Sequence, residues 1–502
     1  MPCMLISDTL GAGGVICTGV ILVFSFACCA VVAGGEPVFD VVGYGAIGDG
    51  STDDTKAFEA AWAAACGAQV PFASMVVPAW KTFLVGPVEF QGPCAPRNIT
   101  VQVMGTIVAP PASAWSGARV DYWLMFNRVD GLTVTGNGML DGNGESWWGI
   151  RCSDSDCVES APTALKLVAC NNLELSYFTS QNSPQMHIVI IESRSVHVEH
   201  LTITAPANSP NTDGIHIGKC NDVRITDSNI GTGDDCVSIG SGSRFVTVHG
   251  INCGPGHGAL KLVKCNKLAL SHFRSENSPQ MHIVVIASRS VRVQDLTIVA
   301  PGDSPNTDGI HIGQSEDVRI TGSIIATGDD CVSIGSGSRF VTVRDVTCGP
   351  GHGVSVGSLG KHGAKAAVEH VDVRNVHFIN TMNGARIKTW EGGQGYAQSI
   401  SFTNIEFTNV DNPVVINQFY EDRDFRAKGA VAIRNITYTN LRGTSSRSTA
   451  VAFECSRSGS CTEIHVRSMK ITGPGGRKAV ARCLNAQGDT AGYIYPKISC
   501  LK

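Results

Sequence analysis

Three carboxylates, an imidazole and two cations follow one another in the second half of this 502-residue chain. Asp308 ends NTD, Asp329 and Asp330 lie in GDDC, His352 lies in GPGHG, and Arg386 and Lys388 flank Ile387 in RIK. Asp308 and Asp330 are 22 residues apart, and so are Asp330 and His352. If about 22 residues make one turn of a coil, these groups stack on one face about 4.8 Å apart. Adjacent carboxylates repel, so Asp329 and Asp330 need a reason to hold or release a proton. Carboxyls beside an imidazole suit general acid–base chemistry. Cations at i and i+2 share one face of a strand and suit an anionic ligand, with Ile387 turned inward. Asn306, before Asp308, and Tyr420, in INQFYED, are candidate ligand contacts. Each fragment alone reads as an ordinary turn, loop or solvated strand face; their order and spacing together point to a site for a sugar acid.

The elements that position these groups are repeats. Residues 164–258 recur as 259–353 at an offset of 95, with 71 positions matching and 24 differing. Inside each block, short β-rich runs such as Val196–Val198, Asp222–Ile225 and Phe245–Val248 recur about every 23 to 27 residues, separated by Gly, Asn, Ser and Pro. Helical periodicity is absent there. Units of this length cannot bury an apolar face alone and must stack on one another, which predicts an all-β, single-domain right-handed parallel β-helix. The 95-residue block then amounts to four coils and lengthens the rod without changing which residues face out. Upstream, VFDVVGYGAIGDG reads as a strand and a Gly-rich turn, and STDDTKAFEAAWAAAC as a short helix plugging the open end, with Ser51 or Thr52 as cap and Asp53 and Asp54 at its N-terminus. The Gly-rich turn lacks the lysine and spacing of a phosphate loop.

Charged residues make up only 16% and the net charge is −4, which excludes disorder and a basic nucleic-acid binder. An acidic ligand must therefore be held by local cations. An uncharged run, Val15–Ala33, reads as a signal peptide over 1–33, with residues 34–502 as the mature β-helix and no membrane attachment after cleavage. An uncleaved anchor is the alternative, because the segment before the run has Asp8 and no Lys or Arg. Nineteen cysteines favour an oxidising compartment, and Asn98 and Asn435 head glycosylation acceptors. Short-range pairing joins Cys66–Cys94, Cys152–Cys157, Cys236–Cys253, Cys331–Cys348, Cys455–Cys461 and Cys483–Cys500, leaving Cys170, Cys220 and Cys265. No cysteine spacing suits a zinc site.

The ordered set NTDGIHI, GDDCVSIGSGS, CGPGHGVSVGSLG, RIKTW and INQFYED resembles the plant polygalacturonases of glycoside hydrolase family 28, and the resemblance runs from about Phe39 to the C-terminus. The duplication departs from the family pattern. The resemblance implies inverting hydrolysis of α-1,4-linked galacturonan, with Asp329 as general acid, Asp308 and Asp330 activating water, and His352 tuning the acid. It implies that Arg386 and Lys388 bind a galacturonate carboxylate, with Tyr420 and Asn306 assisting. It implies no cofactor and no metal, a secreted monomer of the cell wall acting on pectin, and endo action slightly preferred over exo. The first copy repeats Asn211, Asp213, Asp234, Asp235 and His257 but runs into ALKLVKCNK instead of a cation pair. It is therefore expected to be a duplicate that does not turn over, or a carbohydrate subsite. A pectate lyase on the same architecture and a non-catalytic pectin-binding rod are the competing readings.

Overall fold

The computed structural model describes residues 37–115, 120–149, 161–254, 258–420, 429–459 and 461–502. The chain winds as a right-handed parallel β-helix, the hand expected for parallel strands joined by crossovers. Every strand-to-strand pairing in the rod is parallel, and strands pair with their equivalents one coil away. One sheet runs through the rod as fifteen strands, from Val88–Gln91 to Val480–Leu484. Along it Leu165 stands beside Ile188, then Ile215, Val237 and Leu260. The second copy repeats this with Ile283, Ile310 and Val332. The 95-residue block is thus four coils, inserted in phase.

Strict alternation makes this possible. In Thr163–Val168 the apolar Leu165 and Leu167 point inward and Lys166 outward, and the inward row continues as stacked Val, Ile and Leu in every coil. Corners demand left-handed backbone, and asparagine supplies it where its amide can also bond the next coil: Asn375, Asn404 and Asn440 all have φ between 53° and 55° and form a ladder of 3.1 and 2.8 Å hydrogen bonds. Both glycosylation acceptors are exposed, and the Asn435 amide belongs to the same kind of corner, donating to Ser399 Oγ at 3.2 Å.

Five expected disulfides are present: Cys66–Cys94, Cys236–Cys253, Cys331–Cys348, Cys455–Cys461 and Cys483–Cys500. Cys152–Cys157 and the signal segment 1–33 lie outside the described residues. Cys170, Cys220 and Cys265 are free and buried, and burial pushes the Cys170 and Cys265 thiols up to about 11, so they behave as core residues.

The capping helix forms, but later than its sequence suggests. It spans Thr55–Gly67 and buries Ala57, Phe58, Ala61, Trp62 and Ala65 against the first coils, with Phe58 edge-on to Phe83 and Trp62 against Phe90 and Phe126. Ser51 and Thr52 do not cap it, because they lie in a short strand, Asp49–Asp53, that pairs with Thr82–Leu84. Asp54 takes the cap position without a side-chain cap bond; its carboxylate instead accepts the Ile47 and Gly48 N–H groups at 2.7 and 3.1 Å. The Gly-rich turn has thus given its amides to an internal carboxylate.

Candidate active site

The site is assembled on the outward face of the fifteen-stranded sheet. Three successive strands supply its floor: Val332–Ile334, Val354–Leu359 and Asn383–Thr389, with Ser333 beside Ser355 and Ser355 beside Arg386. The loops entering these strands bring Asp329, Asp330 and His352 to the same edge. Asp308 arrives one coil earlier, just before Ile310–Gly313.

Asp330 is buried and held by three donors. Arg386 Nη2 reaches its Oδ1 at 2.6 Å, Lys388 Nζ its Oδ2 at 2.9 Å, and Ser355 Oγ donates to Oδ1 at 2.7 Å. Arg386 Nε–H also donates to Ser355 Oγ at 2.8 Å, locking the guanidinium in place. Two cations on one carboxylate offset the cost of burying all three charges. The resemblance implies that Arg386 and Lys388 bind a substrate carboxylate; the structure gives them Asp330 as a partner. Arg386 has further N–H donors and Lys388 further ammonium protons beyond these bonds.

The neighbouring acids sit in different electrostatic surroundings. Asp308 accepts a 2.5 Å hydrogen bond from Ser333 Oγ. Burial, reinforced by the charges of Asp330 and Asp329, pushes it up to about 7 despite that bond and the pull of Lys388. Asp329 pairs with His352 Nδ1 at 2.7 Å and accepts the Asp330 N–H at 2.8 Å. Burial raises Asp329, but His352 and Lys388 outweigh it and leave its carboxyl below the ordinary value. Ligand atoms of Asp329, Asp330 and His352 lie within 4.8 Å of one another. Burial and its neighbours' charges thus favour the neutral form at Asp308, and His352 and Lys388 the ionised form at Asp329, whereas the resemblance makes Asp329 the acid.

Tyr420 closes one side: its ring lies 5.2 Å from Lys388 Nζ and edge-on to Trp390 at 5.5 Å. Asn306 is exposed with φ 56°, in the left-handed corner before Asp308. Sequence reasoning missed Ser333, Ser355 and His311. His311 Nδ1 lies 2.8 Å from Ser333 Oγ, and burial holds the imidazole below its ordinary value. Their signal was available, since GIHI, VSI and VSV place a polar residue at the centre of three strands in register.

The first copy reproduces half of this. Ser238 Oγ donates to Asp213 at 2.6 Å, His216 Nδ1 lies 2.8 Å from Ser238 Oγ, and the Asp235 N–H bonds Asp234 at 2.9 Å. His257 lies outside the described residues, and Asn211 is exposed at φ 54°. In the strand register Lys261 takes the place of Ser355, Val284 that of Arg386 and Ile286 that of Lys388. Among the described residues Asp235 has no ion pair. Burial and the charges of Asp213 and Asp234 push it up to about 7, with Lys261 pulling only partly back. Burial pushes Asp213 up to about 6.

The profile of the glycosyl hydrolases family 28 matches this chain twice, over residues 66–259 and 259–500, meeting at the first residue of the second copy. This chain belongs to glycosyl hydrolase family 28. It is similar to a probable polygalacturonase of Arabidopsis thaliana, 36% identical over 471 residues, covering 92% of this chain and 80% of that protein. A polygalacturonase of Chamaecyparis obtusa is 34% identical over 469 residues, covering 93% of this chain and 73% of its own length. Polygalacturonase-2 of Solanum lycopersicum is 31% identical over 474 residues, covering 93% and 82%. The chain is a glycoside hydrolase.

Proposed function

We infer that this family 28 hydrolase cleaves α-1,4-galacturonosyl linkages of pectin and polygalacturonate, by inversion, as a secreted monomer in the cell wall. The observation that carries this reading is the second-copy cluster, in which three carboxyls and His352 share one edge with Arg386, Lys388 and Tyr420. A uronate carboxylate would take the spare donors of Arg386 and Lys388. Asp330, held between its cations, and Asp308 would draw a proton from water, while Asp329 would protonate the leaving oxygen. Oxygens of Asp329 and Asp330 come within 4.8 Å of each other, closer than the about 6.5–9.5 Å usual between the carboxyls of an inverting site, so inversion rests on the family resemblance and is tested by the anomeric form of the first product. The disulfides suit an oxidising compartment, and no helix among the described residues is long and apolar enough to cross a membrane. Strands continue on both sides of the site along the same sheet, which supports endo action.

The working state needs the proton on Asp329 and not on Asp308. Asp308, raised to about 7, and Asp329, held below its ordinary value, both oppose that state, and the two carboxyls give a bell-shaped acidic pH profile whose limbs belong to the pair. The resting charges also favour a second reading, with Asp308 as the acid and Asp329 as a base. Release of reducing ends from polygalacturonate, with and without a chelator, tests the function. Chelator-sensitive formation of an ultraviolet-absorbing product would make the protein a lyase, and no release would leave a binding rod.

A further inference from the structure

The four inserted coils continue the sheet that carries the active site without a break in register. Its outward row passes through Lys166, His216, Lys261, His311 and Arg386. Two of the three cations in that stretch are engaged: Arg386 holds Asp330, and Lys166 pairs with Asp121 at 2.6 Å. His216 is held below its ordinary value by burial and by Lys261. Lys261 alone is exposed, with no hydrogen bond or ion pair to any described residue. It exists because the block was duplicated: it is the second copy's counterpart of Lys166, carried by the insertion to a coil beside the Asp213–Asp235 cluster.

We propose that the first-copy face is an accessory subsite for a polyuronate chain, in which Lys261 binds a uronate carboxylate of a substrate whose cleaved bond lies at Asp308, Asp329 and Asp330. This rests on the proposed galacturonan hydrolysis. Lys261 and Arg386 are five rungs apart, about 24 Å along the axis, or about five sugar residues of an extended chain at one residue per rung. The face offers the right charge under the acidic conditions expected for the enzyme. The Lys261 charge acts on Asp213, Asp235 and His216, Ser238 stands beside it in register, and Asp234 lies within 4.8 Å of the other two carboxylates. Burial favours the neutral forms of Asp213 and Asp235 there, so a uronate beside Lys261 meets less negative charge than three ionised carboxylates would present. The first copy lacks a second cation at Val284 or Ile286 and so holds a chain without cutting it. Continuity with the catalytic face and charge complementarity identify the occupant as an anionic polysaccharide.

The test compares the full-length wild type with Lys261→Gln on galacturonate oligomers of increasing length and on polygalacturonate at acidic pH. The loss in kcat/KM of Lys261→Gln should grow with chain length, carried by KM, and reach about three- to tenfold once a chain spans both sites, as expected for one exposed charge contact. Removing a charge from another sheet, Lys267→Gln, should retain the wild-type length dependence. An equal loss at every length, or none on the longest chains, overturns the subsite and leaves the hydrolase reading intact. A wild type that releases no reducing ends from any galacturonate overturns both.

Discussion

The two copies are 95 residues apart in sequence and four rungs apart in space, about 19 Å, yet they differ in one decisive respect. Both place a serine hydroxyl on the first Asp and a histidine behind that serine. Only the second meets a strand carrying Arg386 and Lys388, and only there is the last Asp of the motif neutralised by cations. In the first copy Val284 and Ile286 occupy those positions, and Asp235 is pushed toward its neutral form. Duplicating a motif therefore duplicates its local hydrogen bonds but not its electrostatics, because the charges that complete the site belong to the next coils along the rod.

The sharpest way to break this contrast is to remove the equivalent carboxylates. Asp330→Asn should lower hydrolysis of polygalacturonate by about 10²- to 10⁴-fold, the range expected for one proton-transfer group, while Asp235→Asn stays within about twofold of wild type. Equal losses would show that both clusters turn over. Circular dichroism of both variants separates lost chemistry from lost fold.

Within the second copy, an aryl galacturonide with a good leaving group sorts the roles, since such a substrate needs no acid. Asp329→Asn should recover to within about tenfold of wild type on it, and Asp308→Asn should not. The opposite pattern would make Asp308 the acid, in line with the burial that favours its neutral form.

In architecture the copies should behave alike. Cys236–Cys253 and Cys331–Cys348 each join residues 17 apart, so replacing either pair by alanine should cost about 3 kcal/mol in thermal unfolding. A large inequality would mean that the inserted coils are not equivalent supports.

The smallest effect concerns the unpaired carboxylate. Asp235 is raised to about 7 in the folded protein, above the usual value near 3.9, so its ionisation opposes folding. The penalty is absent below about pH 4 and complete above about pH 7. Asp235→Asn should raise the melting temperature at pH 8 by an amount worth about 1–2 kcal/mol, after discounting for solvent screening, and change nothing at pH 4. A melting temperature that falls at pH 8 would show that the ionised carboxylate has a partner.

Much of this protein is written in its sequence. The alternation of Leu165, Lys166 and Leu167, the coil-length spacing of Asp308, Asp330 and His352, and the 95-residue offset require a parallel β-helix with both clusters on one face, because side-chain direction in a strand depends only on parity and stacking only on period. The pairs Cys236–Cys253 and Cys331–Cys348 follow for the same reason, since each closes within about one coil. The helix start was not legible: Ser51 and Thr52 are good caps locally, but pairing of Asp49–Asp53 with Thr82–Leu84 claims them first. Only the tertiary structure put Arg386 and Lys388 on Asp330, across 56 and 58 residues, and left Asp235 without them. It also decided that Asp308 is raised and Asp329 lowered, because that balance depends on burial and on charges from separate coils, none of which can be read from a motif.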